Sequence, residues 1–590
     1  MPSGQVRLLA RHFLWRFLDN DLISPDSDIH DTGTLVLAFL AVPSLLATAL
    51  LLFTYANPFV TPYQRMLMSL PDKFMYIAWS MLVMALVTLI DWDALSLDAR
   101  DYAILGPLPI ASRTLLGGKL VALALFVSAV VVAVNLVPTF FFPMVCLSSG
   151  SVSLPLPLIT VLMAGHAAAC VGAAVFGFLA ILALRGFLLL VLGPRLFRRV
   201  SLPVQFVAGL SLVVGFLDSL SLSSLRQGSA LVYLSPPMWF LGIYEALTTP
   251  TMARASRELK LWRLPHDDAA ARATYSGYEA VFHQLAVIAV VALAAAAVVA
   301  LVLYFASHFR HASHLRHHAA SQPAGGRRLR SSLARLARRL VVRDPIAQAS
   351  FFFTLQTLAR SARHKLYLAG CFAIGALVIY MTVAPLVVRP PAWIFQGPSV
   401  PLLSLQFVLS FFVLVGLRVV FTIPAELRAN WVFRLAAGGD VRRYLAGVRR
   451  MLGICIVVPL FVAVTPVHAV LWGPRAALLH CVFGVLWALV LVEVLLLGFE
   501  KLPFTCSHVS GKGNLKVFWP IYLFAFLIYA YGFAGVEGSA LRTTRGSAML
   551  IVILLVVLAA LAAYRSRLLS RRTGFVFDEL PDATPVTLGL

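Results

Sequence analysis

The sequence predicts an all-α polytopic membrane protein with about twelve transmembrane helices, arranged as two six-helix repeats that each follow an interfacial helix. Three observations lead there. Hydrophobic residues fill 60% of the 590 positions and charged residues only 12%, about half the charged share of a soluble domain, so lipid must serve as solvent for much of the surface. The apolar residues form long continuous runs rich in Leu, Val and Ala, which selects helices over the short alternating strands of a closed barrel. When the runs alternate across a bilayer, most of the 48 Lys and Arg fall on one side, as expected of cytoplasmic loops.

The first half, residues 1–306, opens with VRLLARHFLWRFL at Val6 to Leu18. Leu8, Leu9, Phe13, Leu14 and Phe17 can share a helical face with Arg7, Arg11 and Arg16 among the polar positions, the pattern of a helix lying in the headgroup plane over 6–18. Spans of about twenty apolar residues follow near 33–55, 74–92, 119–146, 156–184, 203–224 and 281–306, with Asp218 interrupting the fifth. Residues 186–192 either extend the fourth span or lie at the interface. Ser223 to Tyr278 is the longest outward segment and reads as a small extracytoplasmic cap with short helices.

Residues 307–343 form a linker with nine arginines between Arg310 and Arg343 and no acidic residue. Its histidines His308, His311, His314, His317 and His318 drift around a helix, with no Asp, Glu or Cys to complete a ligand set. Contact with anionic lipid is the better expectation, and neither a metal nor a cofactor is expected. The second half, 344–590, opens with a second interfacial segment near Pro345 to Lys365 that carries Phe351, Phe352, Phe353, Leu355 and Leu358. Its spans fall near 367–388, 401–422, 451–471, 476–499, 517–536 and 547–564.

This topology places both termini in the cytoplasm and accounts for the +23 net charge without nucleic acid. The N-terminal stretch lacks the continuous apolar core of a cleavable signal. The six cysteines have no paired spacing and read as free thiols. There is no GxxxxGK[ST] phosphate loop, HExxH, GxSxG or CxxC. No enzyme is expected, and ATP-driven work would need an ATPase on another chain. Among polar residues inside spans, Asp218, Glu493 and His166 are the functional candidates, because an ionisable group there is costly without a partner. The plainer alternative is a buried structural ion pair or a protonated carboxyl.

Two loops between the second and third spans of each half stand out: Leu95 to Lys119 (LSLDARDYAILGPLPIASRTLLGGK) and Pro424 to Arg450 (PAELRANWVFRLAAGGDVRRYLAGVRR). Asp101, Arg113 and Gly118 match Asn430, Arg442 and Gly447 at a constant offset of 329 positions, which favours a duplicated unit. Pro107 and Pro109 force an extended break before Ser112.

The stretch Leu97 to Leu120 resembles the cytoplasmic loop of ABC-2 type exporter permeases. Asp98 and Asp101 match its acidic part, and Leu108, Pro109, Ile110, Arg113, Gly118 and Lys119 match the rest. The second loop lacks the leucine-proline pattern. The resemblance implies a permease with both halves fused, an interfacial helix before each six spans, and a cytoplasmic ABC ATPase subunit touching these loops. Asp98, Asp101, Pro109, Arg113 and Lys119 in the first half, and Glu426, Arg428, Asn430 and Arg442 in the second, would couple to that ATPase. It further implies a bacterial inner (cell) membrane, lipid contacts, a lipid or amphipathic compound as cargo, and room for a further membrane or extracytoplasmic subunit. An ion-coupled secondary transporter using Asp218 and Glu493, and a non-transporting membrane scaffold, are the alternative expectations.

Overall fold

A computed structural model describes residues 2–18, 29–55, 62–92, 94–95, 101, 105, 108, 110–147, 156–221, 231–258, 268–317, 344–388, 397–425, 441–497, 499, 502–505 and 523–570. Among them every regular element is helical, and eleven helices are long and apolar enough to cross a membrane, with a shorter apolar stretch at Leu40–Leu51. The protein is therefore an all-α polytopic membrane protein. The chain divides into two compact units, Met1–Ser321 and Gln322–Leu590.

In the first unit, α1 (Pro2–Leu18), α2 (Ile29–Tyr55) and α3 (Pro62–Ile90) precede α4 (Ser112–Leu147). The next helix, α5 (Leu156–Ser221), holds two spans, Leu156–Gly193 and Arg199–Asp218. They part at Gly193, whose φ of 67° is open to glycine at little cost; residues 186–192 thus extend the fourth span. Then come α6 (Pro236–Glu258) and α7 (Asp268–His317). The expected outward cap is replaced in part by α6, a 23-residue helix packed against α3, α5 and α7. Phe240 and Leu241 near its start are fully buried, so burial of an apolar face draws it into the bundle. On α7 the valines 290, 291, 298 and 302 are each about 60% exposed, a surface suited to lipid.

The second unit contains α8 (Pro345–Arg360), α9 (Ala362–Val388), α10 (Val400–Val420), α11 (Val441–Trp472), α12 (Pro474–Leu496), α13 (Leu523–Ala540) and α14 (Thr544–Ser570). Two of these contain a π-turn, Gly453–Val457 in α11 and Ile528–Gly532 in α13. Asp344 caps α8 by accepting from the Ala347 amide at 3.3 Å, and Pro345 occupies the first turn, a pairing that satisfies one amide and removes another. Phe504, buried at φ 67°, donates its amide to Phe421 and accepts from Ala425. A side chain held in that left-handed region is strained, and here it laces the segment after α12 to the segment after α10.

Candidate functional site

Each unit seats its amphipathic opening helix on a glycine near the start of its third span. In the first unit α1 lies on α4. Leu9, Ala10 and Phe13 are buried there, whereas Leu8 is 70% exposed and so leaves the shared apolar face that the sequence predicts for it. Gly118 makes the approach possible, since an added Cβ would stand 2.7 Å from the Leu9 Cβ. In the second unit Ala347, Ser350, Phe351, Thr354 and Leu358 form the buried stripe of α8, at the spacing of one helical face. This stripe meets α11 at Gly447, where an added Cβ would collide with the Ala347 carbonyl oxygen. The Ser350 hydroxyl donates to the Tyr444 carbonyl at 2.8 Å.

The loop residues divide around these seats. Lys119 is 1% exposed, with its ammonium 4.8 Å from the centre of the Phe13 ring, a cation–π contact. Asp101 is 4% exposed. Lys119 is thus part of the seat itself, and a partner protein could not touch its ammonium directly. Arg113 and Leu108 are exposed. Arg442 is exposed as well and donates to the Ser566 hydroxyl on α14. Asp98, Pro109, Glu426, Arg428 and Asn430 lie outside the described residues, as does the linker beyond His317. Asp91, in the turn after the span Met66–Ile90, is held up to about pKa 7 by burial, partly opposed by the charge of Lys119.

Glu493 is the centre of a buried charge network. Its Oε1 lies 2.7 Å from Arg449 Nη1 and its Oε2 lies 3.0 Å from Arg565 Nε, with the Glu493 side chain 3% exposed. Three helices, α11, α12 and α14, are joined this way. His166 is fully buried with the rings of Tyr76, Phe142 and Tyr244 around it at centroid distances of 5.4 to 5.9 Å. Its Nε2 meets Cys170 Sγ at 3.6 Å, and among the described residues its Nδ1 has no hydrogen-bond partner. Asp218 is the last residue of its span and is exposed, so it stands at a helix end instead of in the bundle interior.

Two interior polar clusters escaped the sequence reading. In the first unit Lys73 Nζ donates to Glu245 Oε1 at 2.7 Å, and the two side chains are 8% and 1% exposed. Tyr275 donates to the other Glu245 oxygen, and Thr249 stands 3.0 Å from the Tyr275 hydroxyl. Helices α3, α6 and α7 meet at this point. In the second unit His480 Nδ1 lies 2.5 Å from Glu537 Oε1 and 2.8 Å from Gln406 Nε2, with His480 and Glu537 fully buried. The His480–Glu537 contact needs one proton between its two atoms, carried either by the imidazole or by the carboxyl. Among the described residues no three His, Cys, Asp or Glu side chains are grouped to hold a metal. No family model, no curated protein and no solved structure matches this chain.

Proposed function

We propose that this chain is the transmembrane subunit of an ATP-driven exporter of the ABC-2 kind, energised by a separate ATPase and moving a lipid or another amphipathic compound. The observation that supports the reading most is the amphipathic helix seated on Gly118 in one unit and again on Gly447 in the other. Both seats adjoin the loop between second and third spans, and both leave an arginine outside, Arg113 and Arg442. A push on either loop would be passed through a glycine contact into a span, because close-packed helices move as bodies. The residues that face outward are the docking candidates, whereas Lys119 belongs to the seat and Asp101 is buried.

Chemical crosslinking in native membranes followed by affinity purification tests this. An ATPase should accompany the chain, and the pair Arg113→Glu and Arg442→Glu should release it while leaving the unfolding midpoint unchanged. Capture of the chain without any ATPase, even after crosslinking, would count against the proposal.

A second reading, ion-coupled transport, draws on Lys73–Glu245 and His480–Glu537, since paired ionisable groups inside spans mark ion paths. Vesicle transport that continues without ATP and stops with a proton ionophore would favour it.

A further inference from the structure

The end of the second unit opposite the Gly447 seat contains a cavity of about 870 Å³. Helix α11 connects the two places, with Val441 at the seat and Trp472 at the cavity. Three helices begin at its wall: α10 at Val400, α12 just before Arg475, and α14 at Thr544. Each helix start carries a partial positive charge and amides with no partner within the helix. The Thr543 hydroxyl caps α14 by accepting from the Gly546 amide at 3.0 Å. The starts of α10 and α12 have no such cap: Ser399 makes no capping bond, and Gly473 has no side chain to make one.

Two full charges add to these partial ones. Arg475 and Arg542 line the cavity, and among the described residues no acidic side chain does. Arg475 Nη2 donates to Thr544 Oγ1 at 3.0 Å, which sets the guanidinium at the wall. Glu537 sits nearby on α13, but its carboxyl is turned to His480. Leu479, Leu541 and the indole of Trp472 form an apolar side of the wall, and Ser539, Thr543, Thr544 and Ser547 also line it.

We infer that this cavity binds an anion carrying an alkyl chain, its phosphate or carboxylate head between Arg475 and Arg542 and its chain along Leu479 and Trp472. Charge-assisted bonds from guanidinium to an oxyanion are strong and directional, and the starts of α10 and α12 add partial positive charge. The head belongs either to a membrane lipid or to a free amphiphile. The inference concerns binding by this chain alone and does not depend on an ATPase.

The test uses the full chain purified in neutral detergent. Binding of hexyl phosphate is measured by calorimetry, and retention of phosphatidylglycerol against phosphatidylcholine by native mass spectrometry. The double variant Arg475→Gln, Arg542→Gln should weaken hexyl phosphate about tenfold or more and abolish the preference for phosphatidylglycerol. Gly535→Leu should do the same with both charges intact, because an added Cβ at this lining position meets nothing within 4 Å and its branches would fill the space. Retained phosphatidylglycerol with no hexyl phosphate binding assigns the site to a lipid headgroup, and the reverse assigns it to a free amphiphile. Equal retention of the two lipids with no hexyl phosphate binding overturns the inference, as does binding that neither variant moves. Should the arginine variant fail to fold, Gly535→Leu decides.

Discussion

The two glycine seats do the same mechanical work with different chemistry. At Gly118 the neighbour is a side-chain Cβ, and a buried lysine stands beside it. At Gly447 the neighbour is a backbone carbonyl, and the stripe of α8 beside it is apolar or hydroxylic. The second unit keeps its charges one layer away, on Glu493, Arg449 and Arg565. The lesson is that close helix approach is the shared requirement. Charge is added where each unit has room, in the seat of one and behind the seat of the other.

The largest expected break is Glu493→Leu. It strands Arg449 and Arg565 next to each other, and removing one partner of a buried pair costs about 3–5 kcal/mol. The unfolding midpoint in detergent should fall steeply, and replacing all three residues by leucine should recover much of it. Next is Gly447→Ala, whose methyl meets a carbonyl that can move only with its helix; overpacking of this kind costs about 3 kcal/mol at the upper end of its range. Gly118→Ala should cost less, about 1–2 kcal/mol, and finding the two equal would remove the contrast between the seats.

A pH scan sharpens the comparison from the charged side. Asp91 has a folded pKa of about 7 against an ordinary value of 3.8. A carboxyl raised in this way contributes its stability below its unfolded value and loses it as pH rises through about 7. The first unit should therefore weaken between about pH 5 and pH 7 by the order of 2 kcal/mol. Asp91→Asn should flatten that slope and leave Gly447-dependent unfolding untouched. A slope that persists in Asp91→Asn assigns the titration elsewhere. The smallest effect is expected for Lys119→Met, which keeps the buried stem and removes the cation over Phe13, at about 1 kcal/mol. Limited proteolysis of α1 would report it.

Much of the fold was legible in the sequence because long apolar runs leave few solutions in lipid. The constant offset between Gly118 and Gly447 was visible too, and its structural meaning is a repeated helix crossing. Glu493 stands out as a carboxyl in an apolar run, and the structure pairs it with Arg449 and Arg565. Lys73 and Glu245 were missed because they lie 172 residues apart, and because Glu245 belongs to a segment read as an outward cap. Part of the signal was present: Glu245 is a lone anion in an otherwise apolar stretch, whereas Lys73 directly follows Asp72. Glu537 was missed by one residue, since the expected span ended at 536 and the span in the structure runs to Ala540. Which arginines remain exposed at the loops depends on packing, which periodicity does not encode.

The π-turn Ile528–Gly532 makes the chain unusually tolerant at one spot and intolerant around it. A π-turn is a helix carrying a surplus residue. Deleting one residue within 528–532 would return α13 to regular pitch and leave Glu537 aimed at His480. Deleting one residue between Phe533 and Val536 would instead rotate everything beyond it by about 100° and turn that carboxyl away. In a library of single-residue deletions, α13 should therefore survive loss at its π-turn and fail one turn further on.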